Sequence, residues 1–69
     1  MDDFDLGALV KDLRKKAGLT QLELANLAGV GKTTVFDIEK NKETVRWNSL
    51  MAVLQVLNIK VEFKSPLTK

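Results

Sequence analysis

Apolar positions recur with a helical period at the start of the chain. The spacing i, i+3, i+4, i+7, i+11 is carried by Leu6, Leu9, Val10, Leu13 and Ala17. This spacing places one apolar stripe along an α-helix. Lys11, Arg14 and Lys15 fall off the stripe, and Gly18 is a natural stop just beyond it.

A capping pattern opens the second predicted helix. Thr20 is followed three residues later by Glu23. The side chain of Thr20 can therefore accept a hydrogen bond from the N–H of Glu23, and the side chain of Glu23 can accept one from the N–H of Thr20. Leu24 and Ala25 then lie on the inward side, and the helix is predicted to end at Gly29.

A three-residue break, Gly29-Val30-Gly31, leads to a third helix predicted from about Lys32 to Lys40. Val35 and Ile38 lie on its buried side, and Asn41 can adopt the left-handed conformation that closes it. Two short helices joined by a tight turn with glycine form a helix-turn-helix unit, which spans residues 20–41 here.

A wide apolar arc predicts a fourth helix from Trp47 to Leu57, with Asn58 as its terminator. Apolar and charged residues then alternate over residues 59–64, which is typical of a half-buried strand. One face of this strand carries the side chains of Ile59, Val61 and Phe63.

The predicted strand needs a partner for its backbone donors and acceptors, and no other segment of the sequence supplies one. A second copy of the chain could pair with it around a twofold axis; the alternative is an extended tail packed on its own chain. The 69 residues contain no cysteine and no histidine, which removes disulfides and the usual zinc sites and favours an oligomer. We therefore predict an all-α domain of four to five helices, with a C-terminal strand that pairs across a homodimer.

The distribution of charge gives a weaker indication of what the protein binds. The chain carries 11 Lys and Arg against 9 Asp and Glu, and three of the acids lie within the first five residues. The remaining basic excess suits a polyanionic partner, although an ordinary solvated surface would show it too. The acidic N-terminus is unlike a secretory signal and no apolar run has membrane length, so a cytoplasmic location without a membrane partner is expected.

Residue types argue against catalysis. Without histidine or cysteine the chain lacks the usual acid–base and nucleophilic groups, and no paired carboxylates lie in a plausible cleft. Asp2, Asp3 and Asp5 are too local and exposed for a convincing metal site. We expect no enzyme activity, no cofactor and no metal.

The stretch from Leu13 to Leu57 resembles the phage-repressor and Cro-like (XRE-type) helix-turn-helix regulators. The matching segments are Gly18-Leu19-Thr20-Gln21, Glu23-Leu24-Ala25, Ala28-Gly29-Val30 and Ile38-Glu39. Over residues 6–63 the chain looks most similar to HipB-like antitoxins. That resemblance implies a homodimer on a palindromic double-stranded operator, repression of its own operon, and a HipA-like kinase toxin as a possible partner. The sequence departs from the family pattern at two positions. Gly31 stands where serine or threonine usually caps the third helix, and Asn41 stands where glycine is frequent.

Base-reading candidates lie on the third helix, because the first turn of such a helix enters the major groove. Lys32 can donate to guanine, and Thr33 can bond a base or touch a thymine methyl group. Asp37 can accept from cytosine N4, or it can pair with Lys40 as an exposed helix residue. Phe36 can pack on a thymine methyl group, or it can fold back as a rim of the core.

The remaining candidates contact phosphate. The resemblance implies this role for Gln21 at the start of the second helix, where anions are favoured in any case. The further phosphate candidates are Thr34, Lys40, Lys42 and Arg46. The sequence thus predicts a single-domain, DNA-binding repressor, most similar to an autoregulating antitoxin. The alternatives are a free-standing phage-type repressor and a module that neutralises a protein partner without DNA.

Overall fold

A computed structural model describes residues 4–63 of the chain. These residues form four α-helices: α1 (Leu6–Lys16), α2 (Gln21–Ala28), α3 (Lys32–Glu39) and α4 (Trp47–Val56). None of these helices is long and apolar enough to cross a membrane. The predicted all-α fold is confirmed, with four helices in the part of the chain that the structure describes.

All four of these helices are followed by a residue in the left-handed conformation. The residues and their φ angles are Gly18 (74°), Gly29 (73°), Asn41 (58°) and Asn58 (60°). The conformation lets the chain turn back on the last helical carbonyl groups, as in the 3.0 Å bond from the N–H of Val30 to the carbonyl of Ala25. The predicted helix ends are therefore confirmed to within one residue.

Helix starts differ in how they are capped. Thr20 and Glu23 form the predicted capping box, with bonds of 3.0 and 2.8 Å between each side chain and the other residue's N–H. Asp5 caps α1 by accepting a 2.9 Å bond from the N–H of Ala8. Gly31 stands at the start of α3 and contributes no side-chain cap. The first backbone N–H groups of α3 consequently receive no internal side-chain partner at that cap.

The core lies among the four helices and receives side chains from each of them. It consists of the buried side chains of Val10, Leu24, Ala25, Val35, Ile38, Val53 and Leu54. α2 packs against both α3 and α4, and α3 also rests on α1. Burial of one face leaves the opposite side of α3 open to solvent, which is the arrangement expected of a helix-turn-helix unit.

The buried face of α1 is rotated from the predicted apolar stripe. Val10 is fully buried, but Ala17 is exposed and the other apolar members of the stripe are only half-buried. Arg14, which the sequence placed off the stripe, is only 8% exposed. The placement of Arg14 was therefore wrong, because an ion pair with α3 offsets the penalty of burying its charge.

Gly7 explains how α1 approaches the end of α3. A Cβ atom built on Gly7 would lie 2.6 Å from the carbonyl oxygen of Glu39, so only glycine fits without a backbone shift. The N–H of Gly7 donates to the side-chain oxygen of Asn41 at 2.9 Å, and the amide of Asn41 donates to Asp5 at 2.7 Å. The bonds from Asn41 and from the N–H of Ala8 lower the pKa of the Asp5 carboxyl group.

Residues 59–63 follow α4 in neither helix nor strand, and no strand occurs among residues 4–63. The end of the predicted strand, Lys64, lies outside the described residues. Ile59 is half-buried beside the core, whereas Val61 is 40% and Phe63 is 80% exposed. Trp47 was predicted on the apolar arc of α4 but is 55% exposed, with its ring 6.1 Å from that of Phe63.

Candidate nucleic-acid interface

The first turn of α3 projects from the protein surface. Val35 and Ile38 are buried and hold the helix on the core, while Lys32 and Thr33 are exposed. Phe36, one turn further along, is 46% exposed and stands outside the buried core. A short helix anchored by one face and open at its N-terminal end can enter the major groove of DNA.

Four predicted site residues line one shallow depression on this surface. Three of them, Lys32, Thr33 and Phe36, come from α3, and Gln21 comes from the start of α2. The depression combines an ammonium group, a hydroxyl group, an amide and an aromatic ring. Asp37, the fourth base-reading candidate, is half-buried and does not line it.

Lys40 interacts with Phe36 rather than with Asp37. The Nζ atom of Lys40 lies 5.5 Å from the centroid of the Phe36 ring, within the range of a cation–π interaction. The ion pairs among residues 4–63 join Arg14 to Glu39 and Lys16 to Asp12. The alternative in which Lys40 pairs with Asp37 is thus not realised in this conformation.

The other phosphate candidates lie on α3, as Thr34 does, or between α3 and α4. Lys40, Lys42 and Arg46 are exposed, and Thr34 is half-buried. Arg46 precedes α4, where its side chain makes no capping hydrogen bond. These three exposed cations remain available to an anionic partner.

A buried network ties the start of α2 to both neighbouring helices. Arg14 donates to both carboxylate oxygens of Glu39, at 2.6 and 3.1 Å, and to the carbonyl of Leu19 at 2.8 Å. Gln21 donates to Glu39 at 3.1 Å. The side chain of Gln21 is therefore held by α3, and its position follows from that of the ion pair.

Glu39 is ionised in this network. Burial raises the pKa of Glu39. The hydrogen bonds from Arg14 and Gln21 and the positive charges of Arg14 and Lys11 together lower it by more, so that the pKa of Glu39 falls below the ordinary value. The paired side chains are only 9% exposed for Arg14 and 5% for Glu39. A bidentate, charge-assisted pair of this kind fixes both geometry and protonation state.

The lowered pKa of Glu39 makes a pH effect testable. Because the folded state lowers the pKa, the stability from Glu39 is fully present above the ordinary value of 4.5 and is lost as the pH falls through the lower folded value. We expect the urea midpoint of the wild-type protein to fall with acidification, and to fall less in a Glu39→Gln variant. Equal acid dependence in both proteins would assign the effect to other carboxylates, with Glu43→Gln as the exposed control.

Sequence reasoning missed Arg14 and Glu39 as a pair. A signal was present, because Gly7, Val10 and Arg14 follow one another at helical spacing on a single face of α1. The charge of Arg14 hid this face from a search for apolar residues. Its partner lies 25 positions away, a separation that no local pattern reveals.

Residues 10–64 match the family model described as helix-turn-helix. The chain belongs to this family, and the predicted recognition is confirmed. It is 40% identical over 62 residues to an uncharacterized HTH-type transcriptional regulator of Sinorhizobium fredii, covering 90% of this chain and 82% of the relative. It is also 34% identical over 59 residues to an ImmF control region 10 kDa protein of Bacillus phage phi105, covering 86% and 66%.

Solved structures share the fold. A chain of a HipA-HipB-O2-O3 complex superposes with a TM-score of 0.78 at 24% identity, covering 96% of this chain and 93% of that one. A chain of a HipB-O4 20mer complex gives 0.76 at 23% identity, covering 96% and 97%. A SinR protein/SinI protein complex gives 0.67 at 36% identity, covering 78% and 53%. The family match and the relative from Sinorhizobium fredii define a helix-turn-helix transcriptional regulator, and the solved structures show that the fold is shared.

Proposed function

We propose that this protein is a sequence-specific transcriptional repressor that binds a palindromic operator as a homodimer. The observation that carries the proposal is the exposed surface of α3, where Lys32, Thr33 and Phe36 share a depression with Gln21. Hydrogen-bond donors, hydrogen-bond acceptors and an apolar ring lie side by side in this depression. This combination suits the mixed pattern of base edges in the major groove.

Base reading and phosphate binding are divided between two helices in this proposal. Lys32 and Thr33 read base edges, and Asp37 extends the reading by accepting from cytosine N4. Gln21 contacts phosphate at the start of α2, in an orientation fixed by Glu39. The outer phosphate contacts come from Thr34, Lys40, Lys42 and Arg46.

Dimerisation uses a different surface, which shares no lining residue with the depression on α3. An apolar groove there is lined by Phe4, Trp47, Val61 and Phe63, which are 71, 55, 40 and 80% exposed in the single chain. Residues 59–63 lack a backbone partner strand within the described chain. A second copy would supply an antiparallel strand of the same alternating pattern and would cover the aromatic side chains.

The twofold axis of such a dimer sets the spacing of its two α3 helices. Both helices enter successive major grooves on one side of a duplex if they stand about 34 Å apart, one turn of DNA. The pairing of Ile59, Val61 and Phe63 with their symmetry mates would fix this distance. A palindromic operator follows from the symmetry.

The proposal is tested by the double substitution Lys32→Ala, Thr33→Ala. We expect the affinity for an operator selected from random duplexes to fall at least about a thousandfold, since each lost base contact is worth about 1–3 kcal/mol in each half-site. Fluorescence anisotropy measures the affinity, and sedimentation should show an unchanged oligomeric state. Leu27→Ala, an exposed apolar change on α2, is the matched control.

Unchanged operator affinity in the double variant would contradict the assignment of α3 as the recognition helix. Loss of the oligomer together with DNA binding would instead indicate damage to the fold. Circular dichroism separates these results. The dimer and the reading helix are thereby tested independently.

We further propose that the repressor is the autoregulating antitoxin of a HipA-type module. The sequence resemblance to HipB-like antitoxins and the shared fold with HipB chains support this role. The relative from a phage control region favours the second candidate, a free-standing phage-type repressor. A kinase-like reading frame directly beside the gene, with a product that co-purifies with this chain, would decide for the antitoxin.

A protein-binding module that acts without DNA is the third candidate. It would retain partner binding in the Lys32→Ala, Thr33→Ala variant and show no operator in a selection from random duplexes. Enrichment of one palindromic sequence by the wild-type protein would exclude it as the sole function.

A further inference from the structure

We propose that Phe36 selects a thymine in each half-site by packing its ring against the 5-methyl group. This inference rests on the proposed DNA-binding function and deepens it by naming a base. It concerns the one aromatic side chain on the exposed surface of α3.

The ring of Phe36 is placed for contact outside the protein. It is 46% exposed, and it belongs neither to the buried core nor to the half-buried apolar residues that pack on the core. Nearly half of the surface of Phe36 stays in water, on a helix whose other exposed residues are polar. The ring therefore retains apolar area that a partner can remove from water.

Its neighbours place Phe36 at the surface that would meet DNA. Phe36 follows Thr33 by three residues and Lys32 by four, so the three side chains share one face of α3. All three line the same depression, together with Gln21. A base that contacts Phe36 therefore lies beside those that contact Lys32 and Thr33.

Lys40 restrains the ring before any ligand arrives. Its ammonium group lies 5.5 Å from the ring centroid and is attracted by the negative face of the ring. A side chain that is already ordered loses less conformational entropy on binding. The positive charge of Lys40 also stands where a phosphate backbone would approach.

Thymine is the base that this ring can recognise. In the major groove every base pair presents hydrogen-bonding groups, but the 5-methyl group of thymine is the one apolar feature. The Phe36 side chain neither donates nor accepts a hydrogen bond, so it gains contact area from that methyl group and desolvates polar edges elsewhere. The ring thus favours thymine over cytosine at the position it faces.

The test removes the methyl group from the DNA and the ring from the protein. The operator is first selected from random duplexes with the full chain, and each thymine is then replaced in turn by uracil at both symmetry-related positions. For wild-type protein we expect one position at which uracil weakens binding about 15-fold, or about fourfold per half-site, as for one buried carbon group. For the Phe36→Ala variant, the affinity for the thymine duplex divided by the affinity for the uracil duplex should fall to about one at that position; this quotient is the thymine-to-uracil ratio.

Matched measurements make the result specific. The same ratio should be unchanged at every other thymine, and Leu27→Ala should keep the wild-type ratio throughout. A cytosine at the sensitive position should bind more weakly than 5-methylcytosine for the wild-type protein but not for Phe36→Ala.

Each other result overturns the inference in a distinguishable way. If an operator is enriched but Phe36→Ala keeps the wild-type ratio at all thymines, Phe36 does not read the methyl group, although DNA binding stands. If Phe36→Ala also keeps full operator affinity, the ring serves another surface. If no sequence is enriched at all, the proposed function itself fails.

Discussion

Replacing Glu39 by alanine is expected to remove a large part of the stability of the fold. The substitution leaves the guanidinium group of Arg14 buried without its carboxylate, and breaking a buried pair in this way costs about 3–5 kcal/mol. A domain of this size has a free energy of unfolding of only about 4–10 kcal/mol. Urea denaturation followed by circular dichroism should show the loss at neutral pH.

The control for Glu39→Ala removes both charges together. In the double variant Arg14→Met, Glu39→Met no unpaired charge remains, and apolar side chains of similar length fill the space, so a large part of the stability should return. Gln21 loses its acceptor in the double variant as well, and operator affinity should therefore stay reduced even when the fold recovers. A Glu39→Ala protein as stable as wild type would show that the ion pair contributes nothing to the fold.

Replacing Val61 by aspartate is expected to dissociate the proposed dimer. The change places one carboxylate from each copy inside the ribbon, close to its symmetry mate, and burial of unpaired like charges is strongly unfavourable. We expect the dimer Kd to rise about a thousandfold, which corresponds to about 4 kcal/mol. Sedimentation measures the dissociation, and operator affinity should fall with it because a monomer engages only one half-site.

Lys60→Asp is the matched control for Val61→Asp. It introduces the same side chain one residue earlier, on the face of the alternating segment that is predicted to meet water. The dimer should persist in this variant. A stable Val61→Asp dimer would contradict the ribbon interface and would move the contact surface elsewhere on the molecule.

The network around Glu39 connects stability with recognition. Gln21 stands at the edge of the candidate interface, and its amide is held by the same carboxylate that anchors Arg14. A change at this carboxylate therefore alters both the free energy of unfolding and the orientation of a phosphate candidate. Operator affinity and stability are expected to change together at this position, unlike at Lys32 or Thr33.

Local signals in the sequence determined the helices and their ends. The Thr20–Glu23 capping box and the left-handed residues Gly18, Gly29, Asn41 and Asn58 were predicted correctly. These features depend on residues no more than a few positions apart, so spacing alone reveals them. The same local spacing placed Lys32 and Thr33 on the exposed face of α3.

The tertiary structure alone decided which face of α1 is buried. Arg14 lies in the interior because Glu39, far away in the chain, supplies the charge that offsets its desolvation. Gly7 and Asn41 lock α1 to the end of α3 through contacts across 32 to 34 positions. Apolar periodicity shows only which side chains of one helix can pack in a core. Burial of a charge depends instead on a partner that is distant in the sequence and near only in the folded protein.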